Sequence, residues 1–185
     1  MRAAFKDWAI VVDALGRGDQ ILILRKGGIS EGKGGFKVAH EEFLLYPTLY
    51  HQQREMVIVS AQSRYDEIAA GFPPKETVRI EHSARVVEWR EVVSLEKAKE
   101  LHDQHIWLDQ VIEERFEWGR EQKIFAIALR VNRLPKPVEF PMRDEYGGCK
   151  SWIEFAEDVD VSRATPVLND DAFQERLRDF RSVLS

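Results

Sequence analysis

IFAIAL, residues 124–129, is a run of six apolar side chains in the second half of the chain. A strand formed by such a run has no polar face to offer to water, and the run is shorter than a typical helix. It leads into Arg130 and Val131. The segment therefore predicts a central strand that is buried on both faces, and the other elements are interpreted around it.

The segments on either side of this strand alternate between helix and strand patterns. Apolar side chains at three- and four-residue steps predict a helix over most of 95–116, capped by Ser94 and open to a break near 105–107. Three prolines after the central strand predict an extended edge segment at 135–141. Further strands are predicted at 78–80, 84–89 and 152–155. A last helix follows Asn169 or Asp170, with one apolar stripe formed by Phe173, Leu177, Phe180 and Leu184.

The N-terminal part has the pattern of a β-hairpin. Two apolar runs, 8–14 and 20–24, are separated by a glycine-bearing turn at 16–19. Five glycines between positions 27 and 35 then predict a loop. Beyond it, the pattern predicts a strand at 43–46 stopped by Pro47, a strand at 56–60, and a short helix at 64–70 ended by Gly71.

Composition limits the classes of protein to consider. The chain has 185 residues, of which 44% are hydrophobic and 32% charged, and this balance is typical of a globular domain rather than a disordered chain. One cysteine, Cys149, allows neither an internal disulfide nor a four-cysteine zinc site. No apolar stretch approaches the roughly 18 residues of a membrane span, and the N-terminus lacks a signal peptide's apolar run. We expect a cytoplasmic protein without membrane contact.

The charge of the chain is unevenly distributed. The net charge is −5, so contact with nucleic acid would need a local basic patch. Such a patch lies in the glycine-rich loop, where only Glu31 opposes four cations: Arg25, Lys26, Lys33 and Lys37. Backbone N–H groups of the loop, together with these cations, can hold a phosphate. The alternative is a solvated loop with ordinary lysines. A nucleotide P-loop is disfavoured because Gly34 stands where serine or threonine must bind magnesium.

A second group of residues suits contact with a nucleobase. Tyr46, His51 and Gln52 form a polar, aromatic cluster on a loop, and Trp152 adds a further aromatic ring. Such side chains stack on bases and hydrogen-bond to their edges. Equally, Tyr46 could belong to the core and His51 could cap a turn, and both interpretations stay open.

Three patterns resemble parts of enzyme sites, but we favour a structural interpretation of each. Glu31-x-Lys33 and Glu121-x-Lys123 match half of a metal-dependent nuclease motif. His102, His105 and Asp109 could face one side of a helix and bind a metal, although His105 falls on the apolar stripe. Cys149 could act as a nucleophile only with a histidine supplied by the fold. We therefore assign no catalytic residue, metal ligand or cofactor.

Three blocks of sequence together resemble a known family. They are LRKGGI at 24–29 with Glu31, FLLYPT at 43–48 with His51 and Gln52, and YGGCKSWI at 146–153. This combination resembles the bacterial family catalogued as domain of unknown function 1802, and the resemblance covers nearly the whole chain. It implies an association, in some proteins, with restriction-type nuclease domains.

Residues 84–170 also resemble the later strands of PUA-like barrels, the fold of pseudouridine synthase and archaeosine transglycosylase domains. The resemblance implies a mixed β-barrel-like core and binding of RNA or modified bases. We thus expect one α+β domain over 1–185, made of a hairpin and glycine-rich loop (8–54), a barrel-like part (56–168) and a C-terminal helix (170–184). Its expected function is to bind nucleic acid or a modified base, as an accessory of a restriction or defence system. The alternatives are a nuclease-like or small-molecule hydrolase, and a structural or interaction subunit.

Overall fold

The structure is a computed structural model that describes residues 1–26, 40–148 and 150–185, without the side chains of His51 and Gln52. Its strands and longer helices, in chain order, are β1 (Ala3–Trp8), α1 (Ala9–Arg17), β2 (Leu22–Arg25), β3 (Glu42–Thr48), α2 (Val59–Gly71), β4 (Thr77–Val92), α3 (Leu95–Lys99), α4 (Asp109–Glu117), β5 (Ile124–Pro141), β6 (Trp152–Glu154), β7 (Thr165–Pro166) and α5 (Asp170–Val183). Short 3-10 helices lie at His51–Met56, His102–Gln104 and Asp144–Tyr146.

The strands form one mixed sheet in the order β2-β5-β4-β3-β1-β6, and β7 pairs with β5. β1 and β3 are parallel, whereas the other pairs are antiparallel. Within the described residues β2 and β6 lie at opposite ends of this order, so the sheet is not closed. The predicted α+β class with a mixed sheet is confirmed.

The central strand is also confirmed. Residues 124–129 are at most 4% exposed, and they pair with β2 on one side and β4 on the other. The proline-bearing segment that follows is the second half of the same strand, and it pairs with the first half of β4. The two strands predicted at 78–80 and 84–89 are joined into β4, with irregular register after Ile80 and Val86.

The predicted N-terminal hairpin is wrong. Residues 9–17 form helix α1, which ends at Gly18 in the left-handed conformation, with φ +77°. A run of buried apolar residues looks the same for a strand and for a buried helix, so periodicity could not separate the two. β1 does not pair with β2; it pairs with β3 in parallel, and a parallel pair cannot be joined by a tight turn.

Two other predictions are corrected in the following segment. Pro47 does not stop β3, which continues to Thr48. No strand covers 56–60: Val57 makes a single bridge to Trp107, and α2 begins at Val59. The predicted helix at 64–70 is confirmed as part of α2, with Gly71 as its last residue.

The later helices agree better with their sequence signals. The Ser94 hydroxyl accepts a hydrogen bond from the Lys97 N–H and caps α3. The predicted long helix breaks into α3 and α4, and His105 lies in the break. The Asn169 side chain caps α5 by accepting from the Ala172 N–H. Three residues of its predicted stripe are buried: Phe173, Leu177 and Phe180.

At β1 and β3, two apolar cores lie on opposite faces of the sheet. Neighbouring side chains of a strand point to opposite faces. Accordingly, Phe43 and Leu45 of β3 belong to the larger core, with α1, α4 and α5, while Leu44 and Tyr46 belong to a smaller core with Tyr146.

Replacing Ile127 by Asp should lower the free energy of unfolding by at least about 3 kcal/mol, because it places an unpaired charge where the wild-type side chain is fully buried. Lys136→Asp, at an exposed position of the same strand, is the control and should change it by less than about 1 kcal/mol. Urea unfolding followed by circular dichroism measures both. Equal stability of the two variants would contradict the assignment of 124–129 as the central strand.

Two helical glycines offer a matched test of packing. A Cβ atom added at Gly16 would lie 2.4 Å from Cε1 of the buried His82 ring, whereas one added at Gly71 would meet nothing within 4 Å. Gly16→Ala should therefore destabilise the protein by about 1–3 kcal/mol. Gly71→Ala should be neutral or slightly stabilising, because alanine is the better helix former. Thermal unfolding of both variants is the measurement, and a stabilising Gly16→Ala would contradict the close packing of α1 on β4.

Candidate functional site

A buried carboxylate lies near the end of β1. Asp7 is 4% exposed, and its Oδ1 accepts a hydrogen bond of 2.8 Å from the Trp8 N–H. Its Oδ2 has no hydrogen-bond partner among the described residues; the nearest cation, Nη1 of Arg25, is 3.8 Å away. A desolvated carboxylate oxygen without a donor is costly in free energy, so this oxygen is suited to accept a bond from a ligand or a water molecule.

A second arginine lies next to this carboxylate. The Arg115 guanidinium lies between the indole rings of Trp8 and Trp107, 5.1 and 4.7 Å from their centroids. Its Nη1 donates a hydrogen bond of 3.0 Å to the Leu24 carbonyl. Burial lowers the pKa of Arg115 to about 10; the Asp7 carboxylate opposes this shift and Arg25 adds to it. We call these five residues the Arg115 cluster: Asp7, Trp8, Arg25, Trp107 and Arg115.

Arg25 connects the cluster to the segment before β6. Its guanidinium lies 4.8 Å above the Phe5 ring, and its Nη2 donates to the Ser151 hydroxyl at 2.9 Å. Phe5 in turn contacts Trp152, with ring centroids 4.9 Å apart. The structure thus brings two of the residues singled out in the sequence, Arg25 and Trp152, into contact with one phenylalanine ring.

The 3-10 helix at His51–Met56 runs between two members of the cluster. On one side the Thr48 hydroxyl donates to the Asp7 carbonyl at 3.0 Å, and on the other Val57 bridges to Trp107. Gln53, in this helix, is 2% exposed, and neither its amide nitrogen nor its amide oxygen has a partner among the described residues. The same holds for the indole nitrogen of Trp107. Several buried polar groups of the cluster and of this 3-10 helix therefore have no partner among the described residues.

The other residues expected to contact nucleic acid lie elsewhere or are not described. Tyr46 is buried in the smaller core, where its hydroxyl donates to the Met142 sulfur at 3.4 Å and its ring stacks on Phe155. Lys26 donates to the carbonyl of Phe116, near the end of α4, and to that of Glu121 beyond this helix, and burial lowers its pKa. The structure therefore separates Tyr46 from Arg25 and gives the Lys26 ammonium intramolecular partners. Outside the described part of the chain are Lys33, Lys37 and the side chains of His51 and Gln52.

The residues of the enzyme-like patterns are not assembled in the described parts of the chain. Glu121 forms an ion pair with Lys123 at 2.9 Å on the surface before β5. His102 and His105 do not share a helix face, because the helix is broken between α3 and α4. No group of three or more histidine, cysteine, aspartate or glutamate residues that could hold a metal occurs in the ranges 1–26, 40–148 and 150–185. Cys149 and Glu31 fall outside these ranges.

None of the helices in the described ranges is long and apolar enough to cross a membrane.

The members of the cluster other than Arg25 were missed in the sequence. Asp7 lies between Lys6 and Trp8 near the start of the sequence, and no local signal marks it as a buried acid. Arg115 stands in the acidic helix segment EERFE, where an arginine suggests only surface ion pairs. Asp7 and Arg115 lie close together because α4 packs against β1 and β2. This proximity cannot be predicted from the spacing of residues in the sequence.

The break between α3 and α4 contains Trp107 and also a buried histidine. His105 is 4% exposed, its ring lies 5.3 Å from that of Trp107, and neither ring nitrogen has a partner among the described residues. Burial lowers its pKa to about 4, with smaller contributions from Arg115 and His102. Burial likewise lowers the pKa of His82 to about 4.

Both histidines should make the protein acid-sensitive. Between pH 6.5 and about 4 the unfolded chain binds protons that the folded chain does not, so stability falls as the pH falls through this window. The loss is at most about 3 kcal/mol for each histidine. His105→Phe should remove the contribution of His105 to this loss of stability and leave the contribution of His82. His102→Phe, at an exposed position, is the control and should change the profile far less, because His102 makes only a smaller contribution to the pKa of His105. Urea unfolding between pH 7 and pH 4 tests this, and identical profiles for both variants would contradict it.

Comparisons with known proteins give a fold likeness and a family. A search of curated protein sequences gave no significant match. Among solved structures, the chain is similar to the crystal structure of ASCH from Zymomonas mobilis, with a TM-score of 0.47, 13% identity and coverage of 97% of this chain and 93% of that chain. Two mutant structures of the same protein give TM-scores of 0.46 and 0.47 at 12% identity. The mutants cover 95% of this chain, and 96% and 94% of their own chains.

The family comparison matches most of the sequence. The model described as Domain of unknown function (DUF1802) matches residues 4–179, from β1 into the last turns of α5. This range includes the Arg115 cluster, the glycine-rich segment and the three sequence blocks noted above. The chain belongs to the family described as Domain of unknown function (DUF1802).

Proposed function

We propose that the chain binds nucleic acid and that one base contacts the Arg115 cluster. The observation that carries this proposal is the buried Asp7 carboxylate, whose Oδ2 lacks a donor among the described residues while two guanidiniums lie beside it. A base edge offers N–H donors to a carboxylate, and its planar ring suits a neighbourhood of indoles and guanidiniums.

The other buried polar groups without a partner among the described residues support the same proposal. Asp7 Oδ2 can only accept, and the Trp107 indole nitrogen can only donate. The Gln53 amide can do both, and an amide of this kind pairs with two adjacent groups of a base edge. Such a set of groups suits a base better than a phosphate, which offers acceptors alone.

Phosphate contacts would come from the cations that follow β2 in the sequence. Arg25, a member of the cluster, is at the end of this strand, and the glycine-rich segment adds Lys33 and Lys37. Contacts of this kind supply affinity without sequence preference, whereas the buried groups supply the preference. The chain is net acidic, so binding would be confined to this region.

A role beside a nuclease in a restriction or defence system is part of the proposal. It is supported by the family resemblance alone. Co-purification of a nuclease with the chain from its native host is the measurement that addresses it.

The phosphate part of the proposal makes a salt-dependence prediction. Log affinity for a short single-stranded RNA should fall linearly with log salt, with a slope near −3 for about three or four contacts. Lys33→Ala combined with Lys37→Ala should flatten this slope by about one to two. The control is Lys75→Ala with Lys136→Ala, two exposed lysines far from β2 in the sequence, and its slope should equal that of wild type. Fluorescence anisotropy at several salt concentrations measures both.

The base part of the proposal is tested with Asp7→Asn. This change keeps the size of the side chain but replaces one acceptor oxygen by a donor, so the order of affinities for the four RNA homopolymers should change. The salt slope should change far less than in the double lysine variant. Glu175→Gln, on the exposed side of α5, is the control. No binding at low salt, or an unchanged base preference in Asp7→Asn, would contradict the site and move the interaction-subunit alternative to first place.

A further inference from the structure

A cleft that the Arg115 cluster does not line is present in the described part of the chain. It lies between helices α1 and α2, over strands β3 and β4, and has a volume of about 280 Å³. None of the five members of the Arg115 cluster lines it. The cleft is close to the lower size limit of small-molecule pockets, which suits a ligand of one ring or a short chain.

The interior of this cleft is largely apolar. Side chains from both helices, from β3 and from the loop after α2 form its walls: Ala9, Val12, Leu45, Ile68, Phe72 and Pro73. His82, from β4, also lines it, and its ring is neutral near pH 7 because burial lowers its pKa to about 4. A ligand in this cleft would therefore have an apolar body.

The cations at the cleft already have carboxylate partners. Arg64 makes two hydrogen bonds to Asp13, of 3.0 and 2.7 Å, and one of 2.7 Å to Glu67. These bonds also raise the pKa of Arg64. Arg79 donates to Glu139 on the neighbouring strand at 2.8 Å. Neither guanidinium is thus in need of an anion from a ligand.

The carboxylates at the cleft can accept further hydrogen bonds. Glu81 lines the cleft, is exposed, and forms no ion pair with any of the described residues. Glu67 accepts its bond from Arg64 through Oε2 and is 64% exposed at the side chain. The charged residues that line the cleft are three acids and two arginines: Asp13, Glu67, Glu81, Arg64 and Arg79. The surplus at the rim is therefore in hydrogen-bond acceptors and negative charge.

We propose that this cleft is a binding site for a small organic amine, with its apolar body between α1 and α2 and its ammonium group at Glu81. An ammonium has three donors and no acceptor, which matches the surplus at the rim. A carboxylate ligand of the same shape would meet Glu67 and Glu81 with like charge, and would find both arginines engaged. The inference is independent of nucleic-acid binding.

The test compares two probes of similar shape and opposite charge. Phenethylamine and 3-phenylpropionate are titrated into the ¹⁵N-labelled full chain at low salt and pH 7, and backbone amide shifts are followed by NMR. We expect phenethylamine to shift the amides of Ile68, Gly71 and Phe72 in a saturable way. We expect 3-phenylpropionate to bind at least fivefold more weakly.

Two variants separate occupancy of the cleft from charge at its rim. Gly71 lines the cleft, and a Cβ atom added there meets nothing within 4 Å, so Gly71→Leu should fill the space without disturbing the fold and abolish saturable binding. Glu81→Gln keeps the shape of the rim and should weaken phenethylamine about two- to fivefold, the range of an exposed ion pair. Glu175→Gln is the control for charge and should bind as wild type does.

Each outcome supports or overturns the proposal. The proposal fails if phenethylamine causes no saturable shifts at millimolar concentration, or if Gly71→Leu, shown to be folded by its circular dichroism spectrum, binds it as well as wild type does. It also fails if both probes bind equally, or if Glu81→Gln has no effect, since either result removes the role of the carboxylate. RNA binding is measured on the same variants and should not change, so failure here is distinguishable from failure of the nucleic-acid site.

Discussion

β4 and β5 pair from Val92 and Ile124 at one end to Thr77 and Pro141 at the other. Every other part of the described sheet is attached to this ladder: β2 and β7 to β5, and β3, with β1 and β6 beyond it, to β4. The first half of β5 is so apolar that it must be covered on both faces, which recruits α1 and α4 among others to the larger core. A substitution that weakens the pairing of β4 with β5 would therefore destabilise every other strand of the described sheet.

The candidate nucleic-acid site depends on the same arrangement. Asp7 lies near the end of β1 and Arg25 at the end of β2. Helix α4 contributes Arg115, whose guanidinium lies between two indoles. Each of these elements is held in place by its own contacts with the sheet or the core. The three charged side chains are therefore brought together without having to stabilise one another. This explains how a carboxylate oxygen without a donor among the described residues is tolerated. The packing of the surrounding apolar residues offsets its cost in free energy.

Sequence reasoning succeeded where the local pattern carried a further signal, such as a run too short for a typical helix or a capping residue. The continuous apolar run at 124–129 and the caps Ser94 and Asn169 each correspond to an observed strand or helix end. It failed for α1, since its apolar residues are buried all round and give no helical stripe. At the site, Arg25 was found through the local excess of positive charge. Asp7 and Arg115 were not, because what distinguishes them is a neighbour from a distant part of the chain.

The pairing of β1 with β6 has a consequence for how the chain is made. β1 is synthesised well before its partner on one side, Trp152–Glu154. The Met1 ammonium likewise bonds to Asp158 and to the Val159 carbonyl. Between the synthesis of β1 and that of β6, the outer edge of β1 is thus an open strand edge. Such an edge invites pairing with other chains until β6 closes it, so folding of this protein is exposed to aggregation during translation.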